Sequence, residues 1–128
     1  MKLSEQKCGQ IKTGTPPLSR KEAEALLPQI LTWSLANKEL VREFKFKEFR
    51  EAMNFVNLIA EIANEQDHHP DILISYNKVR VALSTHRIDG LSMNDFILAA
   101  KIDLKSNQQV RESRIPFRAL ARIRVNGN

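Results

Sequence analysis

Between residues 47 and 66, apolar side chains recur at helical spacing. At ~100° per residue, Phe49, Ala52, Met53, Val56, Ala60 and Ala63 fall on one stripe, and Phe55, Leu58, Ile59 and Ile62 continue it sideways. The apolar arc spans roughly 220°, against a little over 100° for an ordinary surface helix. Glu48 and Glu51 interrupt it, while Arg50, Asn54, Asn57, Glu61, Asn64 and Glu65 confine the fully polar side to a narrow wedge. Such a helix needs cover on two sides. Its own sheet supplies one and a second subunit the other, unless helices over 20–31 and 93–104 cover both within one chain.

The same pattern places the other elements. Ser19 followed by Glu22 is a capping-box signature, opening a helix over 20–31 with Ala23, Leu26, Leu27, Ile30 and Leu31 on one stripe. Residues 33–35 and 39–46 read as strands turning at Asn37-Lys38, with Leu40, Phe44 and Phe46 sharing a face. Residues 72–76 and 79–86 are rich in β-branched and apolar residues and read as a hairpin, with Asn77-Lys78 as its two-residue loop. Asp89-Gly90 turns the chain, and Ser92 caps a last helix whose buried stripe is Met93, Phe96, Ile97, Ala100 and Leu104. The order α-β-β-α-β-β-α predicts an α+β two-layer sandwich, a four-stranded antiparallel sheet with helices on one face. Residues 1–17, with Gly9, Gly14, Pro16 and Pro17 and little periodicity, are expected to form an extended or mobile N-terminal arm before a domain over 18–104.

Charge changes the picture only beyond that domain. Of the net charge of +5, none belongs to residues 1–104, where 14 basic and 14 acidic residues balance. Residues 105–128 hold Lys105, Arg111, Arg114, Arg118, Arg122 and Arg124 against Glu112 alone, a basic C-terminal tail interrupted by Pro116. The basicity is therefore no argument that the domain binds nucleic acid, a question left open for the tail alone. One cysteine, Cys8, excludes an internal disulfide. No apolar run approaches the ~20 residues of a membrane span, and residues 1–10 do not read as a signal peptide. A cytoplasmic location is the default expectation.

Candidate chemistry concentrates in one stretch. All three histidines, His68, His69 and His86, lie within it, and imidazole is the side chain that can both give and take a proton near neutral pH. With Asn77-Lys78 as the loop, Tyr76 would pair with Val79, Ile74 with Val81 and Ile72 with Leu83. Position 69 would then stand opposite 86, so the histidines would converge at the open end of the hairpin. A helix-end position without function would explain one such histidine, but two beside Pro70, with His86 brought opposite by the hairpin register, favour function. Zinc binding is another reading, but adjacent histidines point in different directions, and no Cys or carboxylate sits at a familiar ligand spacing. Ser92-x-x-Asp95 is itself a capping box, so Asp95 has a structural reason to be present.

His68-His69-Pro70, Tyr76, His86 and Asp95, in this order and spacing, resemble the pterin-4a-carbinolamine dehydratase family. Asn77-Lys78-Val79, Leu83-Ser84-Thr85-His86 and Gly90-Leu91-Ser92 agree, and the similarity covers roughly residues 14–104. Thr15-Pro16-Pro17-Leu18 looks like the lead-in of bacterial members, some of which carry two cysteines upstream where only Cys8 stands here. Members usually have a charged residue four positions before the first histidine, and here it is Asn64. The resemblance implies dehydration of 4a-hydroxytetrahydropterin to the quinonoid dihydropterin, in pterin recycling, with neither metal nor organic cofactor. It implies His68 and His86 as the acid/base pair, with His69 orienting the pterin. Asp67, Ser84, Thr85 and Asp95 become candidates for binding substrate. It also implies a homo-oligomer, dimer or tetramer. Its other-class alternative is a non-catalytic binding module that stabilises the dimer of a partner protein such as a transcription factor.

Overall fold

The structure, a computed structural model, describes residues 2–113. Its helices and strands run in the expected order: α1 (Arg20–Leu26), β1 (Ser34–Ala36), β2 (Glu39–Lys45), α2 (Phe49–Gln66), β3 (Asp71–Ser75), β4 (Lys78–Leu83) and α3 (Met93–Ser113). The strands form one antiparallel sheet in the order β1-β2-β4-β3. Alternation assigns the faces: Leu40 and Phe44 of β2 and Val79, Val81 and Leu83 of β4 point into the core, where α2 and α3 lie. Phe44, Phe46 and Phe55 fill the space between sheet and α2, with centroids 4.7 Å apart for Phe44–Phe55 and 5.2 Å for Phe46–Phe55.

Several expected boundaries and faces shift, each for a local reason. The first helix stops at Leu26 and tightens into a 3₁₀ turn over Leu27–Ile30, because Pro28 cannot donate to a continuing α-helix. Leu31, expected on its stripe, is exposed. The buried stripe of α2 is Ala52, Phe55, Ile59 and Ala63, rotated round the helix from the expected one, so Phe49 and Ala60 face outward and Met53 and Val56 are half-covered. In α3, Met93 and Leu104 are exposed, whereas the continuous run Phe96-Ile97-Leu98-Ala99-Ala100 is buried all round. That helix is covered on both sides, by the sheet with α2 and by the N-terminal arm. It also continues beyond the expected domain boundary to Ser113. Arg114, Pro116, Arg118, Arg122 and Arg124 of the basic tail lie outside the described residues.

The arm is docked, with Leu3 buried against α3 in a short 3₁₀ turn and Lys101 Nζ donating to Ser4 O at 2.9 Å. A single leucine and side-chain bonds to backbone leave no periodic trace, which is why the pattern suggested only an extended or mobile arm.

The hairpin register also differs. Ile72 pairs with Val81 and Ile74 with Val79, a slip of two residues that keeps every side chain on its expected face. The loop is Tyr76-Asn77, with Tyr76 at φ +50°. Asn77 is held elsewhere: its carbonyl accepts from Phe46 N–H at 2.8 Å and its Nδ2 donates to Phe46 O at 3.0 Å. These bonds extend the β2–β4 pairing by one step and move the turn back. Position 69 therefore does not stand opposite 86, and His86 begins a 3₁₀ turn, His86–Ile88, instead of ending a strand.

Candidate active site

Two chain reversals bring the site together. At the end of α2, Asp67 adopts φ +50°, a left-handed conformation that Asp tolerates better than most residues. Its N–H bonds back to Ala63 O and Asn64 O, and His68 N–H bonds to Ala63 O at 3.2 Å, closing the helix by a Schellman-type reversal. That reversal turns His68 toward the start of α3. On the other side, Thr85 and Gly90 exchange backbone hydrogen bonds at 2.8 and 3.4 Å, pinching off the turn that carries His86. Gly90 must be glycine, since a Cβ there would stand 2.6 Å from Pro17 Cβ.

Asp95 sits where these pieces meet, fully buried. Its Oδ2 accepts from Ser92 N–H at 2.9 Å and from Thr85 Oγ1 at 2.8 Å, and its Oδ1 lies 2.6 Å from His68 Nε2. Ser92 Oγ accepts from Asn94 N–H at 3.2 Å and lies 2.7 Å from Thr85 Oγ1. Since Thr85 donates to the carboxylate, Ser92 donates to Thr85, and the chain of donors ends on Asp95. With every partner donating, the network assigns a proton of His68 to Nε2, so that in the neutral imidazole Nδ1 carries the lone pair. One carboxylate oxygen caps the helix while the other fixes the imidazole. Asp95, expected to bind substrate, is buried behind the wall and is not among the residues that line the cleft.

The wall faces a cleft of about 550 Å³, within the range of small-molecule sites. His68, His69, His86, Asp67, Ser84 and Thr85 all line it. The slipped register did not separate the histidines, because the turn after β4 carries His86 back to the same opening. They are held differently. His68 is tied to Asp95, His69 Nε2 lies 3.0 Å from Asn64 Oδ1, and His86 is largely exposed with its Nε2 3.8 Å from Asp71 Oδ2. Asn64 thereby orients the second histidine through a neutral amide. Among the described residues, no group of three or more His, Cys, Asp and Glu side chains is arranged to hold a metal ion. None of their helices is long and apolar enough to cross a membrane.

Sequence reasoning missed one whole side of the cleft. Cys8, Gly9, Gln10 and Ile11 of the N-terminal arm line it, as do Gln66, Arg87 and Asn94, which bond to the arm. The only signal was the position of each of these three beside an expected site residue. Burial pushes the Cys8 thiol up to about 11, with Asp95 adding to the rise and Lys101 opposing it. Cys8 is therefore a neutral thiol at neutral pH and not a nucleophile.

The family model for pterin 4 alpha carbinolamine dehydratase matches residues 16–104, which span the Asp67–His69 reversal, the His86 turn and Asp95. The chain belongs to this family. A Nitrosomonas eutropha protein provisionally named a pterin-4-alpha-carbinolamine dehydratase is 47% identical over 103 residues, covering 80% of this chain and 91% of that one. A relative in Alkaliphilus metalliredigens, named in the same provisional way, is 45% identical over 108 residues, covering 83% of this chain and 97% of its own. A crystal structure from Brucella melitensis, described as a transcriptional coactivator/pterin dehydratase, superposes with a TM-score of 0.66 at 32% identity. It covers 69% of this chain and 96% of its own. The dehydratase family match begins at residue 16, so the arm that walls the cleft lies outside it.

Proposed function

We propose that the cleft dehydrates a 4a-hydroxytetrahydropterin to the quinonoid dihydropterin, with His68 and His86 as the proton-transfer pair. The observation that carries this reading is the placement of all three histidines on one cleft, with His68 fixed from behind by buried Asp95. Family membership and the names of the relatives supply the substrate class. The reaction takes a proton from the ring nitrogen and gives one to the hydroxyl leaving the neighbouring bridgehead carbon, releasing water. His68 suits the first step: Nδ1 has the lone pair, and the carboxylate behind Nε2 stabilises the imidazolium that forms. His86, facing solvent, suits the second, donating to the hydroxyl and recovering its proton from water. His69, oriented by Asn64, would hold the ring, together with Asp67 and Ser84.

The test is turnover of a chemically generated 4a-hydroxytetrahydropterin by the purified chain, followed by the absorbance of the quinonoid product. The wild-type chain should accelerate the loss of water. Full activity in the His68→Ala, His86→Ala double variant would end the acid/base assignment. The double loss should be smaller than the product of the two single ones, because the uncatalysed reaction and the surviving binding site set a floor.

Self-association belongs to this reading as well. Phe49, Met53, Val56 and Ala60 form a stripe on α2 that the chain itself leaves half-covered or bare. A dimer or tetramer formed through that stripe is expected at micromolar concentration, and a clean 14.7 kDa monomer in sedimentation would exclude it. The same stripe is the surface that the binding-module reading would use. Loss of oligomerisation with turnover retained in Val56→Arg would separate assembly from catalysis.

A further inference from the structure

A pterin is a flat bicyclic ring, polar at its edges and apolar on its faces, so a site that holds it needs some apolar surface as well as hydrogen-bonding groups. The body of the domain brings only polar and charged side chains to this cleft, apart from the methyl group of Thr85. The larger apolar contacts, Cys8 and Ile11, both come from the N-terminal arm. Protonated at neutral pH, the half-buried Cys8 thiol acts there as a small hydrophobe.

Residues 8–11 of the arm are held by three side chains, and each of these is a near neighbour in sequence of a residue already placed in the site. Cys8 N–H donates to Gln66 Oε1 at 2.9 Å, two residues before His68. Gly9 exchanges two hydrogen bonds with the buried Asn94 amide, N–H to Oδ1 at 3.0 Å and Nδ2 to O at 2.7 Å, next to Asp95. Ile11 O accepts from Arg87 Nη1 at 3.1 Å, next to His86. Asn94 also accepts the weak Cys8 Sγ–H bond at 3.5 Å on its carbonyl. The arm is thus registered against both histidine ends of the cleft at once.

We propose that residues 8–11 form a substrate-binding strap, latched by Asn94, whose Ile11 and Cys8 side chains are the apolar surface against which the pterin ring packs. This rests on the cleft being the pterin site. It adds Ile11 as a residue that sets substrate affinity and Asn94 as a positioning residue acting through the strap. Because the strap contacts the ring in substrate, transition state and product alike, its loss should appear in binding and leave kcat nearly unchanged.

The experiment uses the full chain and two readouts: the Kd for 7,8-dihydrobiopterin, a stable probe, by fluorescence titration, and kcat and KM for the carbinolamine. Ile11→Ser, at a half-buried position outside the core, should raise Kd and KM about 5- to 20-fold with kcat within about threefold, while Ile11→Val stays within about twofold of wild type. Asn94→Ala should raise Kd similarly and speed hydrogen exchange at the Gly9 amide. Should that variant not fold, Ile11→Ser alone decides. A Kd and KM within twofold of wild type for Ile11→Ser, in a chain that binds and turns over pterin, would overturn the strap and leave the dehydratase reading standing. A wild-type chain that binds no pterin at millimolar concentration would overturn both.

Discussion

The two ends of the cleft are built to different standards. At the His68 end the imidazole is mostly buried and fixed by a carboxylate that itself accepts from Thr85 Oγ1 and from Ser92 N–H at the start of α3. At the other end His86 rides on an exposed turn, 77% open at its side chain, with a 3.8 Å contact to an equally exposed Asp71. The turn is held from outside by the exposed Lys38–Asp89 ion pair, which is worth little in water. One end is preorganised, with its tautomer fixed; the other is free to exchange protons with solvent. The proposed dehydration, with one proton removed at a defined atom and another supplied to a departing hydroxyl, would use this asymmetry.

The sharpest way to break the comparison is at Asp95. In Asp95→Asn the amide oxygen can still accept from Ser92 and Thr85, but the amide nitrogen then faces His68 Nε2 and forces the proton to Nδ1. The wrong tautomer should lower kcat by about 10²–10⁴-fold with the fold retained, as should His68→Ala within a factor of ten. Equal activity of Asp95→Asn and wild type would mean that the buried carboxylate is only a helix cap. His86→Ala should cost less, about 10- to 10²-fold in kcat, because water can stand in for an exposed acid. If the His86 loss were the greater of the two, the assignment of roles would have to be reversed.

How much of this was legible depends on the kind of interaction. The element order and the apolar faces of β2 and β4 follow from periodicity, and Asp95 as a cap follows from Ser92-x-x-Asp95. The dual use of its carboxylate does not, because only the reversal at Asp67 brings His68 to Oδ1. The hairpin loop was misplaced because Asn77 is a good turn residue by local chemistry, yet its amide is used in tertiary pairing with Phe46. The slip cost little, since a shift of two residues preserves the faces. The arm was invisible for a different reason. Its contacts run from backbone groups of Cys8, Gly9 and Ile11 to scattered side chains, and such bonds have no period.

Asp67 offers a smaller test of the His68 end. Its left-handed backbone disfavours any residue with a branched Cβ, so Asp67→Val should lower stability by roughly 1–2 kcal/mol and loosen the reversal that aims His68. Asp67→Gly keeps the reversal at no steric cost and removes only the carboxylate that lines the cleft. If that carboxylate contacts the pterin, Asp67→Gly raises KM severalfold with kcat and melting temperature close to wild type. An unchanged KM would limit Asp67 to shaping the chain.

The smallest effect expected lies at Cys8, and it reports whether the strap covers the His68 end in solution. Burial raises the thiol from its ordinary 9.0 to about 11, so between those values the folded chain binds a proton that the unfolded chain has released. Stability from this source is fully present below pH 9 and is lost as pH rises through 11. Urea unfolding at pH 8.5 and 10.5 should therefore show a larger fall for wild type than for Cys8→Ala, which cannot release that proton. The difference will be modest, since the thiol is only half-buried and Lys101 opposes the shift. Alkylation offers a second reading: at pH 8 the thiol should react with iodoacetamide far more slowly than a free cysteine, and Asn94→Ala should restore part of the rate. Identical pH dependence in wild type and Cys8→Ala, with fast alkylation in both wild type and Asn94→Ala, would show the strap open and the His68 end as exposed as the His86 end.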